Sequence, residues 1–195
     1  GDIIFMLDNN NHEEVDEEFS TRPWVKVKHV DGTDKQGGYK TARTIRYHGD
    51  TELAAKVEAD AYKAQRLKTR AVFTEEEQMS NKADWICYLD DDMVTNVENL
   101  KMELLSKGLE CSPDCIIGDK RKHGNYYTGG GWCMNQDLIQ RTTALLRDKT
   151  DEELGWMSND DNSFHKAVII NALGAETTDS EKIFSQLSWG KDEPK

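Results

Sequence analysis

Trp85-Ile86-Cys87-Tyr88-Leu89-Asp90-Asp91-Asp92 begins as an apolar, strand-like run and ends in three consecutive carboxylates. Adjacent carboxylates repel, and withdrawing them from water raises that cost, so a triplet at the end of a buried strand implies a cation or hydrogen-bond donors beside it. Hard oxygen donors select a hard divalent ion, and Mg²⁺ or Mn²⁺ keeps coordination positions open for substrate phosphates. The plainer alternative makes Asp90, Asp91 and Asp92 a solvated turn leading into the next helix.

Two stretches further along bear on that choice. Thr128-Gly129-Gly130-Gly131-Trp132-Cys133 places a glycine run between a strand and a helix. Glycine lets a backbone turn sharply and approach a ligand, and the following Trp132 can pack on a sugar or base face, although such a run ordinarily marks a flexible turn. Asn159-Asp160-Asp161 stands at the start of a helix. Acids there ordinarily cap the helix and favour its dipole; the functional alternative is a general base held near a metal-bound substrate, taking a proton from an incoming hydroxyl.

Around these stretches, strands alternate with amphipathic helices. Ile3 to Leu7 reads as a strand, Asn9 to Glu18 as an acidic helix start, and Trp24 to Val30 as an alternating strand. Gly37-Gly38 and the residues before them form a loop. Asp50 caps a helix with Leu53, Val57, Ala61 and Ala64 on one face, running to about Lys68, and the polar stretch from Thr74 to Lys82 reads as a linker or frayed end. Asn96 caps a helix with Val97, Leu100 and Leu104 on one side and Gly108 as its stop. A strand over Asp114 to Gly118, a helix over Asn135 to Arg147, and a helix over Asp160 to Leu173 with Phe164, Val168 and Ala172 aligned and Gly174 after its end complete the pattern. Such alternation favours an α/β sheet with ligands at the carboxyl ends of its strands, which is where the acidic triplet falls.

The chain of 195 residues suits one sizeable domain. Its formal net charge of −12 argues against a nucleic-acid backbone or an anionic membrane as the main partner, and an anionic nucleotide would need a local metal or a basic pocket. No run reaches the length of a spanning helix, and Gly1 to Phe5 reads as a strand start without a basic leader, so any signal or anchor is expected outside this stretch. Cys87, Cys111, Cys115 and Cys133 permit three pairings; an even count without zinc spacing leans toward a secretory compartment, with buried free thiols as the alternative.

Taken in order, these segments resemble the Fringe family of glycosyltransferases and the related core-1 β-1,3-galactosyltransferases. The likeness rests on Asp84-Trp85-Ile86-Cys87-Tyr88-Leu89-Asp90-Asp91-Asp92 with Val97-Glu98-Asn99-Leu100 behind it, on Tyr127-Thr128-Gly129-Gly130-Gly131-Trp132-Cys133-Met134, and on Asp160-Asp161 followed by Ala172-Leu173-Gly174. Leu53-Ala54-Ala55-Lys56-Val57-Glu58-Ala59 is similar to the lysine-bearing helix upstream of the acidic motif, and the similarity spans about residues 2 to 187. It implies a single GT-A domain over residues 1–195: a Rossmann-like three-layer α/β sandwich with a mixed sheet, binding a UDP-sugar through Mn²⁺ (or Mg²⁺) and inverting the anomeric centre.

Carried to this chain, the resemblance makes Asp92 the direct metal ligand, supported by Asp90, with Asp90 and Asp91 near the nucleotide ribose. Asp161 becomes the base, with Asp160 beside it. Gly129, Gly130 and Gly131 would frame sugar and acceptor, Trp132 would wall that pocket, and Lys56 would meet the diphosphate as a point charge. The family pairs the cysteine before the triplet with the one after the glycine run, which implies a Cys87–Cys133 disulfide.

The resemblance further implies a secretory-pathway protein, in the Golgi lumen or secreted. Its partners would be a UDP-sugar donor and a glycan or glycoprotein acceptor, with no nucleic acid and no membrane contact from this stretch. The expected activity is β-1,3 transfer of N-acetylglucosamine to O-linked fucose on an extracellular protein. Two departures stand out. The glycine motif is one residue shorter than the family's, and after Ile183-Phe184 the chain reads Ser185-Gln186-Leu187 where relatives supply a metal-binding histidine. Gln186 offers only a neutral oxygen, a poorer ligand. His165, one turn after Asp161, is expected to be a packed or surface histidine. The alternatives are a core-1-type galactosyltransferase, to which Val97-Glu98-Asn99-Leu100 is closer, and a catalytically inactive Fringe-like binding domain.

Overall fold

Apolar periodicity and local capping account for most of the elements in the computed structural model. It describes residues 3–8, 21, 25–30, 39–78, 84–89, 93–110, 115–120, 127–157, 161–175, 177–179 and 184–186. The chain clusters into two compact units, Gly1–Gln78 and Met79–Lys195. The expected helix start at Asn9 to Glu18 and the loop around Gly37-Gly38 lie outside the described residues.

In the N-terminal unit, β1 (Ile3–Asp8) pairs in parallel with β2 (Val25–Val30), from Ile3 opposite Val25 to Asp8 opposite Val30. Helix α1 (Tyr39–Tyr47) was not anticipated by the sequence reading and packs on α2 (Thr51–Gln78) as a helical hairpin. The hairpin turns at Gly49, whose φ of +92° suits glycine. Asp50 then caps α2 as expected, its carboxylate accepting from the Leu53 amide at 2.9 Å.

Arg46 of α1 pairs with Glu58 of α2, which also accepts from the Tyr62 hydroxyl at 2.8 Å. The tyrosine hydrogen bond first, and the guanidinium second, hold the Glu58 carboxyl below its ordinary range. The buried stripe of α2 runs through Ala54, Thr69 and Phe73, while Leu53 is 46% exposed, so the inward face is turned by one residue from the expected one. The helix also continues to Gln78 through the stretch read as a linker, because Glu75, Glu76, Glu77 and Gln78 are good helix formers despite their polarity.

The C-terminal unit is built on a mixed four-stranded sheet of order β3-β6-β5-β7, from β3 (Trp85–Tyr88), β5 (Ile116–Lys120), β6 (Tyr127–Asn135) and β7 (Thr177–Asp179). β6 is antiparallel to both β3 and β5, and β7 is parallel to β5, so β3, β5 and β7 point the same way. Alternation sorts the side chains. On one face Cys115, Ile117 and Cys133 form a core against which Trp85, Cys87, Leu100 and Leu104 pack, the two leucines coming from α3 (Val97–Glu110). Helix α3 is capped by Asn96, whose side chain accepts from the Glu98 and Asn99 amides at 3.1 Å, and it runs two residues past Gly108, the expected stop.

On the opposite face Trp132 meets Phe164 and His165. These residues belong to a short α5 (Asp161–Phe164) that continues as a π-helical segment, His165–Ala172. Its wider turn leaves Val168 buried but Ala172 exposed, so the three-residue alignment expected for a regular helix is broken. Gly174 follows the end, as anticipated, with φ +67°. Thus the chain is α/β, with helices on both faces of the sheet in this unit.

Helix α4 (Gln136–Asp148) closes this core with Leu138, Ile139, Thr142 and Leu146 buried. The Asn135 side chain caps α4 through the Leu138 amide and accepts from the Cys115 amide, both at 3.2 Å, so one residue starts a helix and fastens the neighbouring strand. From within α4 Arg141 donates to the Leu173 carbonyl at 2.7 Å. Outside the main sheet, β4 (Met93–Thr95) pairs antiparallel with β8 (Phe184–Gln186). No helix among the described residues is long and apolar enough to cross a membrane.

His165 is fully buried, and burial lowers its pKa from the usual 6.5 to about 3. The unfolded chain binds a proton that the folded state refuses, so this contribution is complete above about pH 6.5 and is lost as pH falls toward 3. Urea unfolding at pH 7 and pH 5 should show stability falling by up to about 1.4 kcal/mol per pH unit from this group, and His165→Leu should flatten that slope. Cys87 and Cys133 are disulfide-bonded across 46 residues of sequence. Loop-closure entropy for that span makes Cys87→Ala/Cys133→Ala about 4 kcal/mol less stable on the same urea curve.

Candidate functional site

The strand directions bring the sequence motifs to one end of one sheet. β3 runs toward Leu89 and the acidic triplet, whereas β6 enters from the same end and runs back. Tyr88 stands opposite Trp132 and Cys87 opposite Cys133, so the start of β6, with its glycines, lies beside the exit of β3. β5 and β7 also end there, Gly118 standing opposite Asp179. This is the carboxyl end of the three co-directional strands, where α/β sheets gather ligands.

The glycine run is part of β6 and makes a bulge within the strand, where the sequence reading had placed a turn between a strand and a helix. Gly118 pairs with Trp132 and Lys120 with Tyr127, so residues 128–131 of β6 stand against Asp119 alone. An excursion of this size bends the strand and increases its twist. Gly131, at φ +74°, supplies the left-handed conformation just before pairing resumes at Trp132.

Trp132 is 5% exposed. Its ring stacks with Tyr88 at 5.4 Å between centroids and 8° between planes, and with Phe164 at 5.9 Å and 24°. His165 meets it edge-on at 6.5 Å. Phe164 packs in turn on Trp156 at 5.0 Å. Trp156 is 2% exposed and is delivered by a capped turn. In that turn the Thr150 amide donates to Glu153 at 2.8 Å and the Glu153 amide to the Thr150 hydroxyl at 3.3 Å. The Thr150 amide is the first cause holding the Glu153 carboxyl below its usual range, with the Thr150 hydroxyl next.

A continuous aromatic row therefore runs from the last residue of β3 to the helix headed by Asp161. The sequence pattern singles out Trp132 but neither Tyr88, which stacks on it, nor Trp156, which packs on Phe164. The signals available were the Thr150-x-x-Glu153 box ahead of Trp156 and the odd-even alternation of β3.

The expected site residues fall as follows. Asp90, Asp91, Asp92 and Asp160 lie outside the described residues. Asp161 is the first residue of α5, placed by its backbone. Gly129, Gly130, Gly131 and Trp132 lie together in β6, next to the end of β3. Lys56 is exposed on α2 and belongs to the N-terminal unit, the others to the C-terminal one. Gln186 is in register with Met93, the residue after Asp92, so β8 returns to the point where the chain leaves the triplet.

Among the described residues no three His, Cys, Asp or Glu side chains gather as a metal site. The Cys87–Cys133 disulfide is present, with Cα atoms 4.0 Å apart, and Cys115 is disulfide-bonded as well. No protein-family model matches the chain, and no curated protein matches it significantly.

Proposed function

We propose that this chain is an inverting, metal-dependent β-1,3-glycosyltransferase of GT-A architecture that moves a sugar, N-acetylglucosamine first among the candidates, from a UDP-sugar to an O-linked glycan such as O-fucose on an extracellular protein. The observation that carries the reading is the convergence, at one sheet end, of the strand leading into Asp90, Asp91 and Asp92, the glycine bulge of β6, and the helix headed by Asp161. A donor held by its diphosphate and an acceptor hydroxyl facing a carboxylate need those three parts near one another. The disulfide favours the secretory compartment that such an acceptor requires.

In this reading Asp92, helped by Asp90, would hold Mn²⁺ or Mg²⁺, and Asp90 and Asp91 would lie near the nucleotide. When bound, such an ion would supply Lewis acidity to the leaving diphosphate. Asp161, with Asp160 beside it, takes the proton of the acceptor hydroxyl, and Gly129, Gly130 and Gly131 leave room for sugar and acceptor. The core-1-type galactosyl reaction uses the same residues with a different donor.

A second reading, a binding domain without turnover, is favoured by two observations. Trp132 is buried against Tyr88 and Phe164, and the strand returning to Met93 carries Gln186 and no histidine.

Calorimetric titration of UDP with Mn²⁺ and then with EDTA separates these readings: the enzyme binds UDP only with the metal, and a domain that has lost its donor site binds under neither condition. Asp92→Ala should abolish metal-dependent UDP binding. Asp161→Ala should leave that binding intact and lower transfer by about 10²- to 10⁴-fold, and unchanged turnover in either variant would remove the role assigned to that residue.

A further inference from the structure

Phe164 closes the single turn of helix that Asp161 opens, three residues further along. Its ring is 5% exposed and is held between two tryptophans, stacking with Trp132 at 5.9 Å and tilting against Trp156 at 5.0 Å. Neither neighbour is free to drift. Trp132 is stacked on Tyr88 and followed by the disulfide-bonded Cys133, while Trp156 is buried behind the capped turn at Thr150 and Glu153. Immediately beyond Phe164 the chain adopts a π-helical segment, a rare conformation that is concentrated at functional sites.

Resting on the glycosyltransferase reading, we propose that Phe164 is a positioning residue: wedged between Trp132 and Trp156, it fixes the height of the Asp161 turn relative to the end of β3. The chain of contact is short. Tyr88 lies two residues before Asp90, Trp132 stacks on Tyr88, Phe164 stacks on Trp132, and Asp161 opens the turn that Phe164 closes. A proton-accepting carboxylate must sit within hydrogen-bond reach of the acceptor hydroxyl, and displacement by about 1 Å can cost 10²-fold in rate. Loss of the wedge moves the base and leaves the nucleotide contacts alone, so its effect falls on kcat.

The test uses the full chain and compares wild type, Phe164→Leu and Phe164→Tyr for calorimetric UDP binding with Mn²⁺ and for steady-state transfer or donor hydrolysis. Leucine keeps apolar bulk but loses the ring, so a folded variant is retained. The expected result is a fall in kcat of about 10- to 100-fold for Phe164→Leu, with KM and UDP affinity within about twofold of wild type, and recovery of kcat in Phe164→Tyr. An unchanged kcat in Phe164→Leu, or a parallel loss of UDP affinity, overturns the proposal while leaving the glycosyltransferase reading standing. Absence of Mn²⁺-dependent UDP binding in the wild type overturns both.

Discussion

The pairing of β3 with β6 is the constraint on which the C-terminal unit depends. It sets Cys87 opposite Cys133 and Tyr88 opposite Trp132. Because side chains alternate across a strand, those two adjacent pairs serve opposite faces. The cystine joins the core that α3 covers through Leu100 and Leu104, and the stacked rings form the floor on which Phe164 and His165 rest. A slip of one residue would put the rings into the cysteine core and the sulfurs under the helix. The covalent bond excludes that slip, so both layers are fixed by one cross-strand register.

The aromatic face does more than fill space. Stacked and tilted rings have preferred separations, and the row Tyr88, Trp132, Phe164, Trp156 joins segments far apart in sequence. His165 is drawn into the same core, where desolvation keeps its imidazole neutral at physiological pH. A neutral, buried imidazole against Trp132 is a packing group, the ordinary fate expected for this residue from its position one turn after Asp161.

How much could be seen in the sequence depended on how local each cause is. Asp50, Asn96 and Asn135 were legible as helix starts because capping involves only the next few amides. The apolar runs of β1, β2 and β3 were legible for the same reason. Helix ends were less so: the local pattern suggests a stop at Gly108 and an end near Lys68, yet one glycine costs only about 1 kcal/mol in a helix, and consecutive glutamates favour helix.

What depends on tertiary packing could not be read. The inward face of α2 settles on Ala54 because α1, unanticipated, packs against it. The π-helical segment after Phe164 and the bulge at residues 128–131 both break local periodicity. At the candidate site, the motifs were legible but their adjacency was not, since it follows from the antiparallel register of β3 and β6 and from the rings between β6 and α5.

The bulge gives this adjacency its shape. Regular pairing would carry β6 flat against β5 past Gly118, whereas residues 128–131 depart from the ladder and rejoin it at Lys120 opposite Tyr127. The left-handed Gly131 lets the ladder resume at Trp132 after that departure. The excursion begins next to Trp132, at the level of Tyr88, so it borders the point where the chain turns toward Asp90. Beside this excursion Trp132 is buried under Phe164 and His165, and the strand returning through Gln186 meets the chain again at Met93. The glycine excursion of β6 and the pairing of β8 at Met93 thus both fall next to the segment that follows β3, while Trp132, the ring that links β6 to the Asp161 turn, resumes the ladder immediately after the excursion.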